Sequence, residues 1–228
     1  MATGMESKRG LTGNELKILA MVTMTLDHVG LSLLPQYPVL RLLGRLAMPI
    51  YAFLIAQGCR HTRSRGRYLL RLFGLGAVCQ GVYYFAMDSV YMGILITFSL
   101  SVVLIWALER AKEMKKTGPI LTAAAAVLGA VFVCCVLPGL LPGTDFGLDY
   151  GIFGVLLPVA AYFWGLPGMG IDLALLCLSS GGNQWWSLLA LLLIACYNGQ
   201  RGKWKLGTFF YLYYPVHLAV IQLIAWAL

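Results

Sequence analysis

The pair Asp27-His28 is the first candidate for chemistry, because it lies in the second half of an apolar stretch, residues 16–34. Ionisable groups in hydrocarbon are costly and usually serve a function, such as a proton relay, an ion path or a catalytic base. The chain has only three histidines, and a second one, His217, lies in the last apolar stretch. A neutral imidazole is suited to removing a proton from an attacking amine or hydroxyl. The two histidines therefore indicate a reaction centre or a transport path.

Lys17 precedes His28 by eleven residues. On a helix, eleven steps return to nearly the same face, about 16 Å further along the axis. One face then carries a cation at the membrane edge and an imidazole deep inside. A pantetheine arm has a similar length, so coenzyme A could place its phosphates at Lys17 and its thioester at His28. The alternatives are that Lys17 is an interfacial anchor and that His28 is a structural hydrogen-bonding residue.

Asp27 projects about 100° away from His28 on a helix. It is therefore predicted to orient another helix, for instance by pairing with Arg45, unless local distortion lets it hold the imidazole. Arg41 and Arg45 share a face of the second apolar stretch. Arg41 can extend outward to the interface, whereas Arg45 lies a turn deeper and needs an acceptor. Arg45 either binds an anionic acceptor or oxyanion or forms the ion pair with Asp27.

His217 follows Tyr213 and Tyr214 by four and three residues, so the three side chains share one helical face. Pro215 loosens the backbone at this point. The stripe is either ordinary packing or the setting of a second catalytic or orienting group.

An arginine-rich run, residues 59–71, lies between the second and third apolar stretches. Such clusters set topology or contact anionic lipid, and they also suit bidentate contacts to the phosphates of a nucleotide cofactor. A second basic segment, YNGQRGKWK at 197–205, contains a tight Asn-Gly turn and is interpreted as an interhelical loop. The candidate cofactor contacts are Lys17, Arg60, Arg63, Arg67 and Arg71.

The composition is that of an integral membrane protein. The chain has 228 residues, of which 60% are hydrophobic and 11% charged, with a mean hydropathy of +0.79. Soluble domains have about 45–50% apolar and about 25% charged residues. We therefore predict a single integral-membrane domain, residues 1–228. The six cysteines lack metal or disulfide spacing, and neither a metal site nor a P-loop, HExxH or GxSxG motif is found.

The fold predicted is all-α, a polytopic bundle of about nine transmembrane helices. Each apolar stretch approaches the roughly 20 residues that a spanning helix needs. The seventh is short and contains Asp172, so it is expected to be tilted, broken or re-entrant. The nine predicted spans are residues 16–34, 39–57, 68–87, 91–109, 119–138, 150–165, 168–181, 184–198 and 206–228.

The basic residues predict the orientation, because cytoplasmic loops are enriched in lysine and arginine. An N-in, C-out arrangement places 15 of the 17 basic residues on the cytoplasmic side. The net charge of +8 thus reflects topology and gives no indication of nucleic acid binding. The cytoplasmic residues are Lys8, Arg9, Lys17, Arg60, Arg63, Arg65, Arg67, Arg71, Arg110, Lys112, Lys115, Lys116, Arg201, Lys203 and Lys205.

Five stretches distributed over the whole chain resemble the TraX family, named after the conjugation protein linked to N-terminal acetylation of F pilin. They are LKILAMVTMTLDHVG (16–30), LRLLGRLAMPIYAFLIAQG (40–58), DYGIFGVLLP (149–158), YNGQRG (197–202) and YLYYPVHL (211–218). The family is more distantly similar to the membrane acyltransferase-3 and heparan N-acetyltransferase group. In acyltransferase-3 proteins a basic residue precedes the catalytic histidine by ten intervening positions, a pattern that Lys17 and His28 fit, with Lys where Arg is more usual.

The resemblance implies a multi-pass acyltransferase of the bacterial cytoplasmic membrane that uses acetyl-CoA or another acyl-CoA. The acceptor would be an amine or hydroxyl, such as a peptide N-terminus, a glycan or a small molecule; nothing indicates a pilin substrate. His28 is expected to be the base, with Asp27, Arg45 and His217 as further site residues. The chain departs from that group by its nine predicted spans against ten or more. Two alternatives stay open, a proton-coupled transporter or flippase using the same buried residues, and an assembly protein in which they only lock helices together.

Overall fold

The computed structural model describes residues 9–204 and 207–228, so Lys8 and Lys205 of the basic pattern lie outside the described residues. All regular elements of the described chain are helical, which confirms the all-α prediction. A π-helical turn (Phe132–Val136) joins α6 to α7, and a 3₁₀ helix (Gly182–Leu189) precedes α9. The α-helices are α1 (Gly13–Ser32), α2 (Pro38–Gly44), α3 (Ala47–His61), α4 (Arg65–Met87), α5 (Ile94–Met114), α6 (Thr117–Val131), α7 (Leu137–Leu140), α8 (Gly151–Ser180), α9 (Ala190–Ala195) and α10 (Gly207–Ala227).

Four helical segments of the described chain are long and apolar enough to cross a membrane, which supports the prediction of a membrane protein. Two shorter apolar helices, Gly182–Ala195 and Leu212–Ala227, accompany them. The count of nine spans and the N-in, C-out orientation stay predictions. The four segments are Pro38–His61, Ile94–Met114, Thr117–Leu140 and Gly151–Ser180.

The structure departs from the expected spans in the last third of the chain. The predicted sixth and seventh spans form one element, α8, whose backbone breaks at Gly165 (φ 64°, ψ −144°). A positive φ of this kind is open to glycine, and Pro167 prevents the ordinary helical hydrogen bond just beyond the break. The predicted eighth span, 184–198, is a 3₁₀ helix followed by the short α9, so it is not one regular α-helix.

The chain divides into two compact units. The first unit comprises Met1–Tyr51 and Gly182–Leu228, and the second comprises Ala52–Gly181. The prediction of a single integral-membrane domain stays a prediction.

The first unit is organised around α1, which packs against α2 and α10. A capping box begins the helix: Thr12 accepts from the Glu15 amide, and the Glu15 carboxylate accepts from the Thr12 amide. Glycines let α1 and α2 approach closely. A Cβ on Gly30 would lie 2.8 Å from the Leu40 Cβ, so the helices could not keep this separation with a larger residue there.

The second unit is organised around α5, which packs against α4, α6 and α8. Buried hydroxyls on α5 donate to the backbone of the segment that enters α8: Ser101 to the Val155 carbonyl (2.7 Å) and Thr97 to the Asp149 carbonyl (3.2 Å). Each bond gives a buried hydroxyl a backbone acceptor in the neighbouring segment. The α5–α8 contact is therefore fixed by hydrogen bonds as well as by packing.

Candidate active site

The structure brings His28 of α1 and His217 of α10 into direct contact. Nε2 of His217 lies 3.2 Å from Nδ1 of His28, and the ring centroids are 5.1 Å apart. His217 is 7% exposed, and His28 is half-buried. Two histidines that are 189 residues apart in sequence thus form one polar centre within the first unit.

The hydrogen bonds of the two rings define their tautomers. Nδ1 of His217 lies 2.8 Å from the Tyr213 carbonyl, and Nδ1 of His28 lies 3.0 Å from the Met24 carbonyl. A carbonyl only accepts, so both Nδ1 atoms carry hydrogen in the neutral rings, and Nε2 of His217 is an acceptor. The Nδ1–H of His28 then points between two acceptors. The lone pair of His28 therefore lies on Nε2, which makes no hydrogen bond within the described chain.

Aromatic residues hold His217 in place. The Tyr213 ring stacks on the imidazole (centroids 5.1 Å apart, 8° between planes), and Tyr214 meets it edge-on. The Tyr213 hydroxyl lies 2.6 Å from the Thr25 hydroxyl, which itself donates to the Met21 carbonyl. Tyr213 is therefore the donor in the bond to Thr25. The predicted helical face of the three α10 residues is confirmed, and it faces α1.

The contacts between α1 and α10 join successive positions of the two helices in the same order. Asn14 donates to the Trp204 carbonyl just before α10 (2.8 Å). Further along, Thr25 contacts Tyr213 and His28 contacts His217. Because residue numbers rise in the same direction on both sides, the first and last helices run parallel.

Asp27 faces α2. Its carboxylate accepts from Arg41 Nη1 (2.5 Å) and from Arg45 Nη2 (2.9 Å). Arg41, which could also extend outward to the interface, here pairs with the half-buried Asp27 carboxylate, a charge-assisted hydrogen bond. Of the two readings of Arg45, the ion pair with Asp27 is the one formed, and Arg45 also approaches Gln184 (3.5 Å).

Gly44 makes the ion-pair cluster possible. A Cβ at this position would lie 2.3 Å from both the Cβ and Oδ1 of Asp27, which no real side chain tolerates. The carboxylate thus lies directly on the backbone of α2. Because two guanidiniums share one carboxylate, the cluster has a net positive charge, and Asp27 is used in positioning α1 against α2 and does not hold the His28 ring.

Lys17 lies near a basic loop at the N-terminal end of α1. The loop formed by residues 196–204 hydrogen-bonds along the start of this helix: the Gly13 amide donates to the Gln200 carbonyl (2.8 Å), and the Asn14 amide donates to the Arg201 carbonyl (2.9 Å). Lys17 and Arg201 are close enough for their positive charges to repel each other. The sequence interpretation placed Arg201 in an interhelical loop and did not predict that it lies near Lys17.

Two glycines shape the loop. Gly199 and Gly202 have φ values of +78° and +93°, a backbone conformation that other residues rarely adopt. A Cβ on Gly202 would also lie 3.0 Å from atoms of Thr12 and Asn14. Glycine at both positions therefore allows the loop to lie flat against the N-terminus of α1 and to present Arg201 there.

The four arginines predicted as cofactor contacts lie in the second unit and differ from one another. Arg60 donates to the carbonyls of Ala161 and Tyr162, immediately before the break at Gly165. Its guanidinium thus acts as a cap for carbonyls that the break frees. Arg63, Arg67 and Arg71 are exposed and make no hydrogen bond or ion pair with other described residues. Arg65, which was not among the predicted contacts, pairs with Glu109 (2.5 Å).

Comparison with known proteins identifies relatives over nearly the full chain. A family model described as TraX protein matches residues 12–225. Protein TraX of Escherichia coli is 30% identical over 229 residues, covering 92% of this chain and 86% of the relative. The probable fimbrial assembly protein FimC, serogroup H1, of Dichelobacter nodosus is 28% identical over 246 residues, covering 91% and 93%. No solved structure shows a significant match.

Proposed function

The chain belongs to the TraX family, and from that premise we propose that it is a membrane-embedded acyltransferase, with acetyl-CoA as the donor and an amine or hydroxyl as the acceptor. The observation that supports this most is the tautomer of His28. Its Nδ1–H is held by the Met24 carbonyl and by His217, and this leaves the Nε2 lone pair for the acceptor. A base that is hydrogen-bonded on one nitrogen and open on the other is the arrangement general-base catalysis requires.

In the proposed reaction, the acceptor nitrogen or oxygen attacks the thioester carbon while His28 Nε2 takes its proton. The new bond to the acyl carbon forms, the carbon–sulfur bond breaks, and the coenzyme leaves as a thiolate. The imidazolium then returns the proton to that sulfur, so the products are the acylated acceptor and the free thiol. General-base catalysis of this kind contributes about 10²–10⁴-fold.

His217 is proposed as the positioning partner of His28. When His28 gains a proton at Nε2, its Nδ1–H bond to His217 Nε2 becomes charge-assisted and therefore stronger. The stacked Tyr213 ring and the bond from His217 Nδ1 to a backbone carbonyl fix the accepting lone pair in place. Asp27 and Arg45 are proposed to act one step further away, by holding α1 against α2.

Lys17 and Arg201 are proposed to attract the phosphates of the donor. They lie at the start of α1, about 16 Å from His28 along the helix axis. Two like charges held close together favour an anionic ligand. A pantetheine arm running along α1 from this end would bring its thioester to the imidazole.

The name of one relative bears on the class of acceptor. The Dichelobacter nodosus relative is named a fimbrial assembly protein, which makes a peptide with a free N-terminus one acceptor to test here. A glycan and a small-molecule amine or alcohol are the others. We propose that transfer takes place in the bacterial cytoplasmic membrane.

The first experiment measures thermal unfolding of the purified detergent-solubilised protein with and without acetyl-CoA, for wild type, His28→Ala and Lys17→Ala. A ligand bound only by the folded state raises stability by mass action. We expect a clear shift in wild type and His28→Ala, and a weaker one in Lys17→Ala. Absence of any shift at millimolar acetyl-CoA in folded wild-type protein would overturn the proposal.

The second experiment follows radiolabelled acetyl transfer from acetyl-CoA to the three acceptors. His28→Ala should bind the donor and lose at least a hundredfold in transfer rate. Near-normal transfer by this variant would refute His28 as the base. The matched control is His61→Ala, which removes the third histidine, exposed at the end of α3, and should leave the rate unchanged.

A further inference from the structure

A large apolar groove lies in the second unit, between α4 and α5. Its volume is about 830 Å³, and it is open on one side. Side chains of α4, α5 and the π-helical turn form its walls, and the loops that follow α4 and precede α8 close one end. Representative wall residues are Phe73, Ala77, Gly81, Ile96, Leu100 and Val133.

Three of the polar side chains that line the groove, Gln80, Ser89 and Ser99, are bonded to the protein itself. Gln80 donates through Nε2 to the Ser89 carbonyl (3.5 Å) and accepts at Oε1 from the Gly93 amide (3.3 Å). Ser99 donates to the Leu95 carbonyl (2.7 Å). Buried polar groups that are already paired have no need of water. The groove therefore suits an occupant made of hydrocarbon.

The dimensions of the groove fit one lipid chain. Its wall on α4 extends from Leu69 to Tyr84, which is about 22 Å at the rise of an α-helix. The hydrocarbon of one leaflet is about 15 Å deep, half of the bilayer core. Both helices lie in predicted spans, so lipid chains are the apolar molecules that surround them. One acyl chain in extended form can therefore lie along the groove.

The closed end of the groove is acidic. Ser89, which lines it, donates to the Asp145 carboxylate (2.5 Å), and Asp88 is exposed next to it. The sequence has no lysine or arginine in residues 72–109 or 117–200. A head group at this end therefore meets the carboxylates of Asp145 and Asp88, and the chain segments that form this end carry no lysine or arginine. Such a rim attracts an ammonium group and repels an anionic head group.

We propose that this groove is a binding site for a phospholipid whose head group carries a primary amine, with one acyl chain lying between α4 and α5 and the amine at the Asp145 end. The site does not depend on the proposed transfer reaction, because its residues belong to the second unit and its evidence is the groove and its rim.

The test uses native mass spectrometry of the full chain purified in detergent and exposed to equal amounts of phosphatidylethanolamine and phosphatidylglycerol. Wild type should retain phosphatidylethanolamine at least fivefold over phosphatidylglycerol. Gly81→Leu should lose at least four-fifths of the retained lipid, because its side chain enters open space in the groove. Gly74→Leu is the matched control: it is the same substitution on the same helix, also into open space, but outside the groove.

Ala77→Leu provides a second filling variant if Gly81→Leu fails to fold, since Ala77 also lines the groove. Asp145→Asn tests the rim and should reduce the preference for the amine lipid at least twofold, with Asp88 left in place, while acyl-chain binding persists. Equal retention by the filling variants and Gly74→Leu would overturn the proposal. Preference of wild type for phosphatidylglycerol would do the same.

Discussion

His28 and His217 have different chemical capacities although they contact each other. His28 has an open Nε2, whereas both nitrogens of His217 are engaged, one with a backbone carbonyl and one with His28. In the proposed reaction, one histidine is therefore the base and the other is its hydrogen-bond acceptor. At the scale of single residues, substitutions should separate the two roles.

Replacing His217 with Ala should lower the turnover number for acetyl transfer by about 10–100-fold, because a hydrogen bond to a charged group contributes about 1.5–3 kcal/mol. The KM for acetyl-CoA should change little, since His217 makes no proposed donor contact. His217→Gln keeps an acceptor in the side chain and should recover part of the rate. Equal losses in both variants would contradict the acceptor role.

The hydroxyl pair Thr25–Tyr213 should contribute to stability through one shared hydrogen bond. Thr25→Val and Tyr213→Phe should each lower the free energy of unfolding by about 0.5–1.5 kcal/mol. The double variant should cost little more than either single change, because both remove the same bond. The measurement is a double-mutant cycle by thermal or denaturant unfolding, and strictly additive losses would show that the pair is not coupled.

At the scale of the elements, the packing of α1 against α2 depends on the absence of a side chain at Gly44. Gly44→Ala would place a methyl group 2.3 Å from Asp27 atoms, so α2 must move and the ion-pair cluster must open. We expect a loss of about 1–3 kcal/mol in unfolding free energy, as in other overpacked sites. Gly74→Ala, the control, enters open space within α4 and should be neutral or stabilising by about 0.5–1 kcal/mol. Similar destabilisation of both would contradict the close approach.

The loop between α7 and α8 depends on an ionised carboxylate. Hydrogen bonds from the Ser89 hydroxyl and the Val90 amide hold the pKa of Asp145 below its ordinary value. Because the pKa of Asp145 is lower in the folded than in the unfolded protein, its ionised form stabilises the folded loop at any pH above the unfolded-state pKa. This contribution disappears as the pH falls through the folded-state pKa.

Acidification from about pH 5 to pH 2 should therefore release this loop. The measurement is hydrogen exchange at Val90, corrected for the intrinsic pH dependence, which should show loss of protection in wild type. Asp145→Asn cannot ionise, so its protection should stay flat over the same range. A flat wild-type profile would contradict the role of the charge.

The helices were largely predictable from the sequence, but their irregularities were not. Runs of apolar residues reveal where helices lie, and the predicted stretch 68–87, for instance, differs from α4 (Arg65–Met87) by three residues at one end. The 3₁₀ geometry of Gly182–Leu189 depends on packing within the first unit, which periodicity does not report. The pairing of Asp27 with Arg45 was one of the two arrangements predicted from the sequence, because a carboxylate and a guanidinium that are shielded from water attract each other.

The contact between His28 and His217 could not be predicted in the same way. Hydropathy identifies both helices but gives no information about which helices are neighbours, and 189 residues separate the two rings. Arg201 was missed for a related reason, since its position beside Lys17 follows from backbone hydrogen bonds and from two glycines with positive φ. Exposed loop residues carry no periodic signal that would indicate such docking.

At the scale of the whole molecule, the parallel course of α1 and α10 bears on topology. When two parallel helices both span the membrane, the chain makes an odd number of membrane crossings from the first to the last, both included. The N-in, C-out prediction also has an odd number of spans. In a variant lacking the six native cysteines, single cysteines at Arg9 and Arg201 should react with an impermeant maleimide on one side. Cysteines at Asp145 and Leu228 should react on the other. Labelling of positions 9 and 228 from the same side would contradict the odd count.

The pairing of the first helix with the last also sets an order of events during biosynthesis. His28 is translated early, but its partner is added only after 188 further residues have been translated. Until then α1 has no α10 beside it, and His28 has no acceptor for its Nδ1–H other than the Met24 carbonyl. A half-made chain therefore holds Lys17 and His28 but neither Arg201 nor His217. Translation of residues 201–217 is the step that would complete the proposed reaction centre.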